Sequence, residues 1–460
     1  MNASGFEVIT TQAANLHAPT RRIAAWLLLI VALPAWSCTP SQQAPRPLSI
    51  VVSGDTAGWI RPCGCTTKQA GGLLRRGTFV ADLQQQHDVL VADAGGAAGG
   101  TSRYDVLKFT ALCRGEVAMG VAAHNLGQSE LALGAEPLRQ IAAETRIPFL
   151  STNVRTVDGQ VVATERMEIR IGTHRIGILG VIAPQFATQE FKIADPREAI
   201  LQHTAGMRKH CDTILVLAYL PEEQLEALAA TIPDVDLLIG GPTRQSIAPR
   251  KSGRTTWAAA TAKGKFLVRL DSRPDSALTE RWSGDLVEMG ESLPDHSQQQ
   301  ANLRQFYDEL AALDLPADAT GFATRLPANI PAGFRIAGSD QCRQCHPKDC
   351  LAWEASSHAR AWQTLVEKES TVDPYCQQCH STGYGLPGGF VSLLKSRDRV
   401  DVGCESCHGP AASHVKQPQT HTPYDARDRC LHCHDSENSP RFKLTEFWEQ
   451  IEHGQSADSP

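Results

Sequence analysis

The sequence predicts a layered α/β domain followed by a second domain of different composition. The chain has 460 residues, which exceeds the length of one ordinary domain. Between Leu48 and about Met289, short runs rich in valine, isoleucine and leucine alternate with amphipathic segments, as in an α/β domain. Beyond Gly338, strand signals and large apolar residues are scarce, so a second core of the same kind is not expected.

The expected elements of the α/β domain follow one another along residues 48–290. Helices are predicted at Leu73–Gln86 and Pro221–Ala230, where the pattern is amphipathic. The expected strands are Leu48–Ser53, Asp88–Ala92, Phe149–Val154, Arg175–Ile182, Thr213–Tyr219 and Val235–Ile239. Residues 291–337 are predicted to hold one more helix, Gln298–Leu313, and a linker rich in proline and glycine. The second domain then spans residues 338–460.

The N-terminus has the features of a secretory signal peptide. Arg21 and Arg22 precede the apolar run Ile23–Trp36, which is too short to span a bilayer but suits the hydrophobic region of a signal peptide. Residues 1–37 are therefore predicted to be removed, and residues 38–47 to form a tether. Cys38 would become the first residue, so lipidation with membrane anchoring and simple cleavage both stay open. The expected location is periplasmic or otherwise extracytoplasmic.

Charge excludes one class of partner. The formal net charge is -6, and no run of lysine or arginine stands out, so nucleic acid is not an expected partner. The chain has 14 cysteines, an unusual number for an ordinary intracellular protein. Most of them belong to a repeated motif in the C-terminal region.

The motif Cys-x-x-Cys-His occurs four times beyond residue 340. A zinc site could use such thiol pairs, but it has no need of a histidine placed directly after the second thiol. Covalent haem attachment uses all three residues, since the thiols form thioethers and the imidazole ligates the iron. The sequence therefore predicts four covalently bound c-type haems. Their attachment residues are Cys342, Cys345 and His346; Cys376, Cys379 and His380; Cys404, Cys407 and His408; and Cys430, Cys433 and His434.

The region from Gly338 to about His453 resembles the cytochrome c554 family of tetrahaem cytochromes. The resemblance is carried by CRQCHPKDCLAWEASSHARAW from Cys342, YCQQCHSTGYG from Tyr375, VGCESCHGPAASHV from Val402 and RCLHCH from Arg429. It implies a mostly helical domain with closely packed haems. It also implies a role in carrying electrons between periplasmic or membrane redox proteins.

Each iron has a sixth coordination position, and histidines outside the attachment positions are candidates for it. The family pattern carries over to His358 and His414 as distal ligands. His453 and His421 are further candidates, whereas His432 lies inside a haem-attachment loop and is expected at the surface. One iron without a sixth protein ligand also stays open.

The segment from Leu48 to Gly241 resembles the metallophosphoesterase domain of periplasmic 5'-nucleotidases. The resemblance is carried by LSIVVSGDTAGW, GGLLRRGTFVADL, VLVADAGG, LGQSELALG, PFLSTNV, RIGILGVIAP and VDLLIGG. It implies a layered α/β fold. The chemistry of that family comes from two metal ions that clamp a phosphate and activate water.

The residues that would hold those metal ions are replaced in this chain. Ala57 stands for the histidine of the Asp-x-His motif, and Gly96 stands for the bridging aspartate. The Gly-Asn-His-Glu block is Gly127-Gln128-Ser129-Glu130, the later Ser-His is Ala218-Tyr219, and Gly-Gly-His-x-His is Gly240-Gly241-Pro242-Thr243-Arg244. Only Asp55 remains, and one carboxylate does not hold two divalent ions. The sequence therefore predicts no catalytic residue in this domain.

Other polar residues of the α/β domain receive structural interpretations. Cys63, Cys65, Cys113 and Cys211 could form disulfides, stay as inert thiols or bind a thiophilic metal. Asp93 and Glu130 are interpreted as structural, and Cys350, His124 and His210 as ordinary residues.

The sequence as a whole predicts an exported electron carrier in which the phosphoesterase-like domain docks a partner or binds a ligand. One alternative is a multihaem oxidoreductase that acts on a small nitrogen or sulfur compound at an open haem. A 5'-nucleotidase-type hydrolase is the other, and the replaced metal ligands argue against it.

Overall fold

Two six-stranded sheets form the centre of the α/β half of the protein. The structure is a computed structural model, and it describes residues 46–62, 69–323, 333–420 and 424–454. The predicted signal peptide and tether lie outside these residues, apart from the last two residues of the tether. Within the described residues, no helix combines the length and the apolar character needed to cross a bilayer.

Within the described residues, the strands all lie in the α/β half. They are β1 (Leu48–Ser53), β2 (Asp88–Asp93), β3 (Val121–Asn125), β4 (Phe149–Leu150), β5 (Val154–Thr156), β6 (Arg166–Ile171), β7 (His174–Ile182), β8 (Phe191–Ile193), β9 (Thr213–Tyr219), β10 (Leu237–Gly241), β11 (Ile247–Ser252), β12 (Thr255–Ala259), β13 (Phe266–Ser272) and β14 (Trp282–Glu288).

Helices occur in both halves. Those of the α/β half are α1 (Leu73–Gln86), α2 (Arg103–Ala118), α3 (Gln128–Leu133), α4 (Ala135–Thr145), α5 (Pro196–Met207), α6 (Glu222–Thr231) and α7 (Ser297–Leu313). Those of the C-terminal half are α8 (Pro347–Ala355), α9 (Ala361–Glu367), α10 (Pro374–His380), α11 (Cys404–His408), α12 (Ala412–Lys416), α13 (Ala426–Arg429) and α14 (Leu444–Trp448).

The first sheet has the order β14-β13-β1-β2-β3-β4, and the second has the order β11-β12-β10-β9-β7-β6. In the first, β1 to β4 run parallel, while β13 and β14 add an antiparallel edge. Because β1, β2 and β3 are parallel, the loops that follow them meet at one edge of the sheet. Those loops carry Asp55, Gly96 and Gly127.

Alternation along the strands explains how the sheets pack. In β1, Leu48, Ile50 and Val52 belong to a cluster shared with strands of the second sheet, such as Ile178 of β7 and Leu217 of β9. The neighbouring Val51 points to the other face, where α1, α2, α4 and α7 cover the first sheet. Helices α5 and α6 cover the second sheet in the same way. The α/β half is therefore a four-layer sandwich, and the predicted fold class is confirmed.

Several predicted elements have the expected bounds, among them β1, α1 and β9. The single strand predicted at Phe149–Val154 is wrong, since it divides into β4 and β5. Ser151 donates its amide to Thr164, and Thr152 donates to Gly180, so the backbone between the two strands bonds to other segments. The sequence patterns also did not indicate strands β11 to β14.

Helix α7 packs against the α/β half although it follows the last strand. Gln299 donates to the Gly115 carbonyl at 2.8 Å, and Asn302 donates to the Ala111 carbonyl at 2.8 Å. Phe306 and Leu310 on the same face are buried. These contacts fix α7 on α1 and α2, so its position relative to the sheet is set by both polar and apolar groups.

The C-terminal half is mostly helical and packs on the α/β half through polar contacts. The Tyr104 hydroxyl of α2 donates to the Asp373 carboxylate at 2.7 Å, and both residues are buried. Lys263 and Lys265 each donate to the Glu437 carboxylate at 2.9 Å. The two halves therefore meet at a surface that includes one buried hydrogen bond to a charged group.

That buried bond gives a stability prediction. Replacing Tyr104 by Phe should lower the free energy of unfolding by about 2 kcal/mol, because hydrogen bonds to buried charged groups contribute roughly that much. Urea unfolding of the haem-loaded protein, followed by circular dichroism, measures the change. Tyr424→Phe is the control, since Tyr424 is only partly buried; equal stability of Tyr104→Phe and the parent protein would contradict the role given to this contact.

Candidate haem sites and a replaced metal site

Each Cys-x-x-Cys-His motif lies on or beside a short helix. His346 directly precedes α8, and the second motif forms the end of α10. The third motif is α11 itself, and the fourth follows α13. A single helical turn brings the two thiols of a motif to one side, with the histidine directly after them. In each of the four motifs, the two thiols and the imidazole therefore lie within one or two helical turns of one another.

The structure brings second histidines to three of the four motif histidines. The ring centroids are 6.2 Å apart for His346 and His414, 6.2 Å for His358 and His434, and 5.8 Å for His408 and His453. Two imidazoles on opposite sides of one metal ion have centroids about 6 Å apart, because each metal–nitrogen bond is about 2 Å long. The three pairs thus have the spacing of axial ligands to a shared iron.

Hydrogen bonds orient several of these rings. Nδ1 of His380 donates to the Ala361 carbonyl at 2.6 Å, Nδ1 of His414 donates to Thr420 at 3.0 Å, and Nδ1 of His453 donates to Ile451 at 2.8 Å. A backbone acceptor at Nδ1 leaves Nε2 with its lone pair, which is the form that binds a metal. The donor set therefore fits haem iron.

Burial also favours the neutral form of the histidine rings. It lowers the pKa of His358, His380, His408 and His434. A lowered pKa favours the neutral imidazole, which is the ligand form. Of the remaining candidates, His421 lies outside the described residues, and His432 is exposed.

Contacts between motif cysteines show which of the four sites are adjacent. The side chains of Cys342 in the first motif and Cys404 in the third are hydrogen-bonded to each other. The side chains of Cys433 in the fourth motif and Cys379 in the second are hydrogen-bonded in the same way. The sites of motifs 1 and 3 are therefore adjacent, and so are those of motifs 2 and 4, as close packing of the groups bound there requires.

A cavity of about 700 Å³ lies at the second and fourth motifs and also reaches Cys407 of the third. Cys376, His380 and His434 line it, together with apolar side chains such as Phe442 and Trp448. Residues 59–62 of the α/β half form part of its wall. Cofactor sites are commonly concave and largely apolar with a few placed polar groups, as this cavity is.

The edge of the sheet where a phosphoesterase would bind metal is filled by protein. The Thr261 hydroxyl donates to the Asp55 carboxylate. The Tyr219 ring packs over Gly96 and Gly127: a Cβ added at Gly96 would lie 2.7 Å from Cε2 of Tyr219, and one at Gly127 would lie 2.8 Å from Cδ2. A bridging aspartate at position 96 would therefore collide with Tyr219.

Glu130 holds the loop that follows β2. Its buried carboxylate accepts the amides of Gly96, Ala97 and Ala98 at 3.0, 2.6 and 3.0 Å, and that of Gly127 at 2.9 Å. Burial acts to raise the pKa of Glu130, but His124 and the backbone amides outweigh it and lower the pKa to about 2. The structural role expected for Glu130 agrees with these bonds.

Next to Glu130 lies a fully buried ion cluster. Arg76 is 3.8 Å from Asp93 and 3.3 Å from Glu116, and His124 is 2.6 Å from Glu116 and 3.8 Å from Glu130. Burial raises the pKa of Asp93 to about 6. The pKa of His124 is raised well above its ordinary value; burial opposes this, but Glu116 and the other carboxylates outweigh it.

The donor atoms of Asp93, Glu116 and His124 lie within 4.8 Å of one another, close enough for one metal ion. The Arg76 guanidinium, which contacts both carboxylates, supplies the positive charge instead. Sequence reasoning left His124 as an ordinary residue and missed this cluster. The sequence carries one signal of this cluster, a charged residue at a helical position that is otherwise apolar. Arg76 lies with Leu73, Val80 and Leu83 on the buried face of α1.

The structure describes three of the cysteines outside the haem-attachment motifs. Cys113 and Cys211 are free thiols and are buried, and Cys350 is also free and buried. Cys63 and Cys65 lie outside the described residues, so their pairing stays open.

Comparison with known proteins supports the two resemblances. Residues 341–409 match the family described as cytochrome c554 and c-prime. Cytochrome c-554 of Nitrosomonas europaea is 32% identical over 97 residues, which cover 18% of this chain and 41% of that protein. The matched part therefore spans less than half the length of this relative. The similarity implies covalently bound c-type haem, and thus iron, in the C-terminal half.

The α/β half has the fold of the metallophosphoesterases. The 5'-nucleotidase precursor from Thermus thermophilus superposes with a TM-score of 0.51 at 17% identity, over 77% of this chain and 73% of that chain. The calcineurin-like phosphoesterase YfkN from Bacillus subtilis gives a TM-score of 0.50 at 16% identity, over 57% of this chain and 97% of that chain. Both resemblances inferred from sequence are thus confirmed, the second at the level of fold.

Glu130 provides a prediction that depends on pH. Its folded pKa of about 2 lies below the ordinary value of 4.5, so its contribution to stability is present above pH 4.5 and is lost as pH falls toward 2. Glu130→Gln should therefore cost about 3 kcal/mol at pH 7 and less at pH 3. Urea unfolding at both pH values measures this.

Glu136→Gln is the matched control for Glu130→Gln, because Glu136 lies on the next helix with a side chain that is 66% exposed. It should change stability by less than about 0.5 kcal/mol. A Glu130→Gln cost that is the same at pH 3 and pH 7 would contradict an ionised Glu130 in the folded protein.

Proposed function

We propose that the chain is an exported tetrahaem c-type cytochrome that carries electrons between periplasmic or membrane redox proteins. The proposal is supported above all by the three histidine pairs with centroids 5.8 to 6.2 Å apart. An iron with two histidine ligands has both axial positions filled, which suits electron transfer rather than substrate binding. Haem supplies the one-electron chemistry, while the protein supplies ligands, burial and nearby charge.

The arrangement of the motifs supports transfer between haems. Contact between Cys342 and Cys404, and between Cys379 and Cys433, keeps the groups of each pair near each other. The four sequence motifs are the basis for proposing four haems. Export rests on the signal-peptide features of residues 1–37, and anchoring rests on Cys38.

We further propose that the phosphoesterase-like half does not hydrolyse phosphate esters. Tyr219 fills the space beside Gly96, and Thr261 engages the one remaining ligand, Asp55. Hydrolysis in this fold depends on two bridged metal ions, and the described residues at this edge lack the side chains to hold them. The half serves instead as a docking or packing surface for the haem-binding region.

Spectroscopy of the haem-loaded protein tests the electron-transfer proposal. We expect four haems per chain by optical quantification, with at least three of them low-spin by electron paramagnetic resonance, because three irons would have two imidazole ligands. His453→Ala should convert one low-spin haem to high-spin, since it removes the ring opposite His408.

The control is His432→Ala, which removes an exposed histidine from the fourth motif's loop and should leave the spectrum unchanged. Retention of every low-spin signal in His453→Ala would show that His453 is not an axial ligand. A parent protein with a single haem, or with mostly high-spin iron, would overturn the carrier proposal.

A hydrolysis assay tests the second proposal. With Mn²⁺ or Zn²⁺ added, 5'-nucleotides should not be hydrolysed faster by the parent protein than by Asp55→Ala, because neither protein holds two metal ions. Phosphate release is the measurement. Robust turnover that Asp55→Ala abolishes would establish a working metal site.

A further inference from the structure

The loop that follows β1 reaches from the α/β half into the cavity at the second haem-attachment motif. Trp59, Ile60, Arg61 and Pro62 line this cavity of about 700 Å³ together with Cys376, Cys379 and His380. In the phosphoesterase-like fold this loop comes directly after the first metal-binding motif, at Asp55. The same loop here faces the haem-binding region.

Backbone packing and hydrogen bonds hold Arg61 in place. Gly72, with φ of 86°, packs so closely that a Cβ there would lie 2.8 Å from the Arg61 Cα. Leu73 donates its amide to the Ile60 carbonyl at 2.6 Å, and Arg61 itself donates to the Tyr307 hydroxyl of α7 at 3.1 Å. Backbone and side chain are therefore both held, which fixes the charge relative to the cavity.

A second cation from the α/β half is held at the same wall. The Lys108 amine lies 5.2 Å from the ring centroids of Tyr104 and Tyr375 and 5.8 Å from that of Trp59. Cation–π contacts with several rings restrain such an amine. Tyr375 directly precedes Cys376, so this charge lies near the second motif.

Positive charge predominates among the described residues that line the cavity. The cationic ones are Arg61, Lys108, Lys368 and Arg429, and Asp373 is the carboxylate among them. Asp373 already accepts hydrogen bonds from the Tyr104 hydroxyl at 2.7 Å and the Tyr375 amide at 3.0 Å. These neutral donors stabilise the carboxylate without removing its charge, so four cationic side chains face one carboxylate and positive charge is in excess.

We propose that Arg61 and Lys108 raise the reduction potential of the haem held by Cys376, Cys379 and His380, so that the α/β half tunes the electron carrier. This inference rests on the proposed function, because it requires a haem at the second motif. One-electron reduction of Fe(III) to Fe(II) removes a positive charge from the centre. Fixed cations nearby therefore stabilise the reduced form, and partial burial strengthens the effect.

The test is a potentiometric titration of the full haem-loaded protein with dithionite as reductant, followed optically. Arg61→Gln should make the reduction equilibrium of one haem about tenfold less favourable, which corresponds to a midpoint about 59 mV lower for one electron. Lys108→Met should shift the same haem in the same direction. Arg61→Lys keeps the charge and should keep the midpoint near that of the parent protein.

Arg139→Gln is the matched control, because Arg139 lies on α4, pairs with Glu136 and is 45% exposed. It should leave all midpoints unchanged. Unaltered midpoints in Arg61→Gln with full haem content would overturn the inference; if that variant does not fold, unaltered midpoints in Lys108→Met would overturn it. A parent protein without haem at the second motif would refute the proposed function instead.

Discussion

The spacing of paired imidazoles is the constraint on which the C-terminal half depends. Its helices are four to nine residues long, which is too short for stability without outside support. Its apolar cluster is small, since Tyr384 and Phe390 pack with Ala317 of the preceding linker. The histidine rings, by contrast, lie where one iron could bridge each pair. Metal ligation and thioether bonds can supply the cohesion that side-chain packing does not, which couples haem binding to folding in this half.

The α/β half satisfies a different constraint, since it buries three carboxylates beside two cationic side chains. Asp93, Glu116 and Glu130 are fully buried. Removing one partner of a buried ion pair lowers the free energy of unfolding by about 3 to 5 kcal/mol, because the other charge is left unpaired. Arg76 and His124 supply the compensating positive charge from α1 and β3. The two cationic side chains therefore compensate part of the negative charge of the three carboxylates.

The sequence allowed the fold to be predicted where the signal was local. Apolar runs marked β1 and β9, and helical periodicity marked α1, whereas the backbone bonds that divide Phe149–Val154 come from distant segments. Motif spacing predicts the haem-attachment residues, but the partner of each distal histidine depends on tertiary folding. His358 lies opposite His434 rather than opposite His346, which is nearer to it in the sequence. Replaced metal ligands were visible in the sequence, but the ring of Tyr219 that fills their space was not.

Residues at and near Asp55 connect the α/β half to the haem-binding region. Lys263 donates its amide to the Asp55 carbonyl at 3.1 Å and its amine to Glu437 of the C-terminal half at 2.9 Å. Four residues beyond Asp55, Trp59 contacts Tyr375 with ring centroids 5.5 Å apart. A hydrolase needs this edge of the sheet open to substrate, whereas a buried haem needs a wall against water. The loop that follows β1 packs on the haem-binding region through Trp59 and lines the cavity there, so it contributes to such a wall.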